Sequence, residues 1–202
     1  MQRADWNDMM GVFGFAENPE TYQALIKAHD EPHRHYHTQD HIDACLSHVD
    51  TVELDMERPH EVRLAFWFHD AIYKIFSGTN EKDSAAWAVE FLRKNGAADD
   101  VIARIENLIL ITEHHASSSR QDERFMLDID LSILGAPPYV YDQFEVNIRK
   151  EYKRVPKIIF NNKRKQILQG FLDMEGIYKT DVFKSKLEQS ARENLIRTIA
   201  GL

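Results

Sequence analysis

Apolar residues recur along this chain every three or four positions rather than every second one. Val and Ile fall mostly at helical spacing, without sustained alternation, so the pattern predicts helices throughout. Asn18-Pro19 reads as an N-cap followed by a proline at the first helical position, opening a helix over about 19–29. The polar, His-rich stretch 30–37 holds Pro32 and reads as a loop. Thr38 is placed to cap a helix of about 39–54 that carries His41, Ile42, Cys45, Val49 and Val52 on adjoining positions. Pro59 opens a helix of about 59–74. Its apolar residues surround nearly the whole circumference, which predicts a central, buried element. Asn80-Glu81-Lys82-Asp83 reads as a capping-box variant at the start of a helix that stops at Gly96. Asp99-Asp100 suit the positive end of a helix reaching about His115. After a polar loop at 116–121, Arg124 to Leu134 forms a helix that ends at Gly135. A longer helix runs to about Arg154, and the segments of about 161–175 and 180–201 supply the last two.

The 202 residues, 43% of them hydrophobic, suffice for one domain with a sizeable core. No internal repeat, low-complexity tract or linker divides them. The expectation is an all-α, single-domain helical bundle over 1–202. Its functional core spans about 19–135, and additional C-terminal helices span about 138–202. The net charge of -8 argues against a nucleic-acid polymer as partner. A small anionic substrate remains compatible, because a bound cation or a local Arg cluster overrides the global sign. Cys45 is the one cysteine, so no disulfide within the chain is expected. Residues 1–15 lack the basic start and apolar run of a signal peptide, and no stretch has the length and apolarity to span a bilayer. These readings lead to the expectation of a soluble cytoplasmic protein with no membrane partner. Phe13, Phe15 and the C-terminal helix offer apolar surface for a homodimer.

The candidate chemistry centres on His69-Asp70, inside the apolar run Leu64-Ala65-Phe66-Trp67-Phe68-His69-Asp70-Ala71-Ile72-Tyr73. An imidazole and a carboxylate are costly in such surroundings unless hydrogen-bonded, paired or bound to a cation. If the helix continues through them, the two side chains differ by about a hundred degrees in direction and can still reach one ion. His37 and His41 stand at i, i+4 spacing, and their rings project toward one region; the plainer reading is a solvated helix start. Asp128 and Asp130 lie in another apolar segment and point in nearly opposite directions, so at most one faces a given ion. His114-His115 ends an apolar helix, where imidazoles suit the dipole; a second metal site or a substrate contact is the alternative. His29-Asp30 is a second His–Asp pair, to which no role is assigned.

The order His … His-Asp … Asp on a helical chain resembles the HD superfamily of metal-dependent phosphohydrolases, and more closely a group of bacterial predicted HD-superfamily phosphohydrolases of about this length. The resemblance covers most of the chain, and short pieces along it carry it. They are Arg34-His35-Tyr36-His37-Thr38-Gln39-Asp40-His41-Ile42, Phe68-His69-Asp70-Ala71-Ile72-Tyr73, Asn80-Glu81-Lys82-Asp83-Ser84-Ala85, Leu108 to His115, Asp128 to Gly135, and Ile148-Arg149-Lys150-Glu151-Tyr152. The Tyr36 to His41 piece is also similar to the start of cyclic-nucleotide phosphodiesterase sites, with Thr38 where Asn is usual. That similarity implies His37 as proton donor and His41 as a metal ligand. An Asp-Leu-Ser piece supplies the last ligand there, which implies Asp130 rather than Asp128.

The resemblance therefore implies an HD-type helical domain with a divalent ion (Mn, Mg, Fe, Co, Ni or Zn) held by His41, His69, Asp70 and Asp130. It implies hydrolysis of a small phosphate ester, nucleotides included, with His37 as general acid and Asp70 both binding metal and orienting water. Arg34, Arg149 and Lys153 are candidates for phosphate neutralisation, although each is more often a surface charge. Glu81 is a candidate to act through the metal's water shell. Two other readings stay open. One is an HD-fold di-iron oxygenase with His114 or His115 as the extra ligand; the other is a non-catalytic nucleotide-binding sensor.

Overall fold

The computed structural model describes residues 1–113 and 118–202. Among them are ten α-helices and no strand, so the chain is all-α as its periodicity predicts. The helices are α1 (Arg3–Phe13), α2 (Pro19–His29), α3 (Gln39–Val52), α4 (Pro59–Phe68), α5 (Asn80–Lys94), α6 (Asp99–Leu110), α7 (Gln121–Asp130), α8 (Pro138–Glu151), α9 (Lys157–Leu172) and α10 (Asp181–Gly201). Short 3-10 turns follow α3, α6 and α7 at Glu53–Asp55, Ile111–Glu113 and Leu131–Gly135. The chain divides into two compact units, Met1–Met126 and Leu127–Leu202. The sequence reading expects one domain, with a core of about 19–135 and C-terminal helices of about 138–202. The observed division falls inside α7, where no Gly, Pro or polar linker marks it.

In the first unit α4 is the central element. Val62, Leu64, Ala65, Phe66, Trp67 and Phe68 are all buried, so no face of its second half is left for water. It packs against α1, α3, α5 and α6. Helix α1 is absent from the sequence reading, yet it fills a side of this core. Trp6 is fully buried and meets Trp67 edge-on at 5.1 Å between ring centroids and Phe91 at 5.7 Å. The Trp6 indole N–H donates to the Glu17 carbonyl, so its polar tip is satisfied. Gly14 ends α1 with φ +69°, a left-handed conformation that glycine adopts without steric cost.

Helix α4 stops at Phe68 rather than near residue 74, which corrects the predicted boundary. The capping-box reading of Asn80 is corrected too. The Asn80 side chain accepts from the Lys74 N–H at 3.0 Å and donates to the Lys74 carbonyl at 3.1 Å, closing the loop in front of α5. Ser84 Oγ accepts from the Ile72 N–H at 3.0 Å. The segment after the His69-Asp70 pair is thus tied to the first turns of α5.

In the second unit α10 packs on the Leu131–Gly135 turn. A Cβ at Gly135 would stand 2.6 Å from Leu187 Cβ, so only glycine allows that approach. Asn194 donates to the Leu134 and Ala136 carbonyls, each at 2.9 Å, and Tyr178 donates to the Leu131 carbonyl at 3.1 Å. Asp128, fully buried, accepts from the Lys179 and Thr180 N–H groups at 2.7 Å each and from the Thr180 hydroxyl at 2.6 Å. It holds the start of α10.

His29, the last residue of α2, is 1% exposed. Burial, with the Arg34 charge second, pushes its imidazole from 6.5 down to about 3. Below pH 6.5 the unfolded chain therefore takes up a proton that the folded chain refuses. Stability present above pH 6.5 is lost as pH falls toward 3, at up to about 1.4 kcal/mol per unit. Urea midpoints of the wild type should fall between pH 6.5 and 4.5, and those of His29→Leu should stay flatter over that window.

Candidate metal centre

The site begins where α4 runs out. The His69 N–H still bonds back to the Ala65 carbonyl at 2.9 Å, and the Ala71 N–H closes on the Phe68 carbonyl at 2.9 Å. His69 and Asp70 therefore project from a turn, not from a helix wall, and the turn points both toward α3. His41 comes from the first turn of α3, behind the extended Thr38. Its Nε2 lies 3.2 Å from His69 Nε2 and 3.6 Å from Asp70 Oδ2, and His69 Nε2 lies 3.1 Å from Asp70 Oδ2.

His69 Nδ1 stands 2.9 Å from the Phe66 carbonyl, which can only accept. Nδ1 therefore carries a proton, which leaves Nε2 to present a second proton to Asp70 or, in the neutral ring, a lone pair to an ion. Asp70 presents another. Burial acts to raise the Asp70 carboxyl, but His69, by charge and by hydrogen bond, and then His37 and His41 outweigh it. They hold the group well below the usual carboxylate range. Lone pairs this close repel unless a proton or a cation lies among them. Atoms about 2.1 Å from one ion stand about 3.0 Å apart at a right angle and about 3.4 Å apart at a tetrahedral one. The observed triangle has edges of that size. Two imidazoles and a carboxylate suit a divalent transition ion, so the residues present fit the group that the resemblance implies.

His37 precedes α3 and is half-buried. Its ring stacks on Tyr73 at 4.2 Å, meets Tyr36 edge-on at 5.0 Å and lies 6.1 Å from the His41 ring. His33 stacks on Tyr73 as well, and its Nε2 lies 2.8 Å from the Tyr73 carbonyl.

Arg34 is buried and engages most of its five donors inside the fold. Nε bonds Glu31 at 3.1 Å. Nη1 bonds the His37 carbonyl at 3.2 Å and the Asp70 carbonyl at 2.6 Å, and Nη2 bonds the Ala71 carbonyl at 3.0 Å. This corrects its reading as a phosphate contact: it fastens the loop that carries His37 to the turn that carries Asp70. Arg149 is corrected in the same way within the second unit. It bonds the Tyr152 and Val155 carbonyls at 2.6 and 2.9 Å and lies over the Phe160 ring. Lys153 is exposed just beyond α8. Glu81 is half-buried in the first turn of α5. Asp130 closes α7 in the second unit and is half-buried, while its neighbour Asp128 is committed to α10. His114 and His115 lie outside the described residues.

Compared with protein-family models, with curated proteins and with solved structures, the chain matches none.

The roles of two residues are not readable from the sequence. The periodicity puts Tyr73 in an apolar helix, whereas it lies beyond α4 and its ring stacks with those of His33 and His37. Arg34 carried no sign of its role, because its partners are backbone carbonyls, which every residue possesses.

Arg34→Lys keeps the charge but loses the fork that reaches three carbonyls. It should lower stability by about 2–4 kcal/mol in chemical denaturation. Arg34→Met should cost at least as much. A loss under about 0.5 kcal/mol in both would show that the clamp does not hold the site.

Proposed function

We propose that this chain is a divalent-metal-dependent phosphohydrolase acting on a small phosphate ester, nucleotides among the candidates. The reading is carried by the tight triangle of His41 Nε2, His69 Nε2 and Asp70 Oδ2, with the His69 tautomer set by the Phe66 carbonyl. The ordered sequence pieces that resemble HD phosphohydrolases support it. When bound, a divalent cation supplies charge stabilisation for the phosphoryl group and activation of a water molecule.

The chain's own residues supply the rest of the proposed chemistry. Asp70, a carboxylate at neutral pH, accepts a hydrogen bond from the attacking water and fixes its direction. His37, stacked on Tyr73 and half-exposed, delivers a proton to the leaving oxygen. The Phe66 carbonyl keeps His69 in the tautomer that binds through Nε2. Asp130 is the fourth ligand that the resemblance implies, and it is tested alongside the other three. Glu81 enters this proposal only through the water shell of the ion.

Elemental analysis of the purified protein, followed by a screen of phosphomonoesters and phosphodiesters with the metal found, tests the reading. Asp70→Ala should lose bound metal and more than about a hundredfold in turnover; Asp130→Ala should weaken metal binding as well. A wild-type protein that holds no divalent ion and hydrolyses nothing across the panel rules the proposal out.

His37→Asn should keep the metal and lose turnover by about a hundredfold or more on alkyl phosphates. It should lose much less on p-nitrophenyl esters, whose leaving group needs no proton. Equal losses on both substrates would remove His37 as the acid.

A further inference from the structure

His37 stands in the loop before α3, and an imidazole there turns about χ1 and χ2 unless its neighbours hold it. A proton donor tolerates little of that motion. It must meet the leaving oxygen at hydrogen-bond distance, and a misplacement of about 1 Å costs on the order of a hundredfold in rate.

The backbone of His37 is fixed by Arg34, whose Nη1 bonds the His37 carbonyl at 3.2 Å. Its ring meets Tyr73. The two ring centroids stand 4.2 Å apart and the planes are 27° from parallel, a face-to-face contact too close to admit water. On its other side the His37 ring lies 6.1 Å from that of His41, so this contact sets its orientation beside the donor cluster.

Tyr73 is itself held from several directions. It is buried. His33 Nε2 stands 2.8 Å from the Tyr73 carbonyl, which can only accept, and the His33 ring lies within 4° of parallel to the phenol ring. The Arg34 guanidinium carbon is 5.4 Å from the Tyr73 centroid. The residues on either side, Ile72 and Lys74, are tied to Ser84 and Asn80 of α5. His37, in contrast, is only half-buried and keeps surface for a substrate. The arrangement is a fixed plate with a working ring laid against it.

We propose that Tyr73 is the positioning residue of the proton donor: its ring holds the His37 imidazole in the orientation from which it serves the leaving group. The inference rests on the hydrolase reading above and names the residue on which its acid depends.

Two readouts test it. In NMR spectra of the full chain freed of metal, the His37 ring protons should show NOEs to the Tyr73 ring and lie upfield, shielded by its face. In Tyr73→Leu they should move downfield. In the metal-loaded protein, Tyr73→Leu should keep the ion and lose about tenfold or more in kcat on alkyl phosphates, with KM little changed and much smaller losses on p-nitrophenyl esters. Tyr73→Phe restores the ring and should recover most of that loss. His37→Asn combined with Tyr73→Leu should lose no more than His37→Asn alone. His33→Ala removes a support of the plate at a partly exposed position. It should give the same ester-class signature more weakly, and it serves if Tyr73→Leu does not fold. Absence of the ring-to-ring NOEs, equal losses on both ester classes, additive losses in the double variant or no recovery in Tyr73→Phe overturns this inference and leaves the hydrolase reading standing. A wild type that hydrolyses nothing removes both.

Discussion

A helix with no face left for water can present polar groups only at its ends. Helix α4 is in that position: its second half is buried on every side, from Leu64 to Phe68. The backbone N–H of His69 is still satisfied within the helix, and the chain then turns at once. Had the helix run on to Tyr73, Asp70 would have stood on a wall surrounded by aromatic rings, an expensive place for a carboxylate. Termination at Phe68 removes that cost and turns both polar side chains toward the start of α3. The geometry of the candidate metal centre follows from where this one helix is allowed to stop.

Stopping there transfers a burden to the turn, whose carbonyls no longer point along a helix. Arg34 takes up two of them, at Asp70 and Ala71, and with the same guanidinium binds the carbonyl of His37. Asn80 and Ser84 satisfy the next residues along, Lys74 and Ile72. The segment from His69 to Lys74 is irregular yet densely bonded from both sides. That is how a turn can hold the donor atoms of His69 and Asp70 within 3.6 Å of His41 Nε2 on α3.

Helix existence was legible in the sequence because side chains record it: Asn18-Pro19, Pro59 and Gly96 mark boundaries where they were expected. Helix α1 was legible too, since Trp6, Met9, Met10 and Phe13 keep helical spacing. The early end of α4 was not legible. Ala71, Ile72 and Tyr73 continue the apolar pattern, no Gly or Pro interrupts it, and periodicity does not register a change of backbone direction. The same limit explains Arg34, Arg149 and Asp128. Each is committed to backbone groups brought near by folding, and an N–H or C=O leaves no trace in a side-chain pattern. The cluster of His41, His69 and Asp70 could be anticipated because ionisable groups inside apolar runs need partners, and their partners are one another.

The dipole of α4 bears on both of its ends. A helix carries about half a positive charge at its start and half a negative charge at its close. At the close stand His69 and Asp70, where the field of the helix favours a cation and helps to keep a proton or metal among the three donor atoms. At the start the same field favours an anion, and the Asp122 carboxylate accepts there from the Glu57 and Arg58 N–H groups. Because α4 is buried, water screens these fields less than it would on a surface helix. A cation at the close and the Asp122 carboxylate at the start each lie in the favourable field of the same ten residues. The sign at each end is set by chain direction, so reversing the charge at either end turns an attraction into a cost.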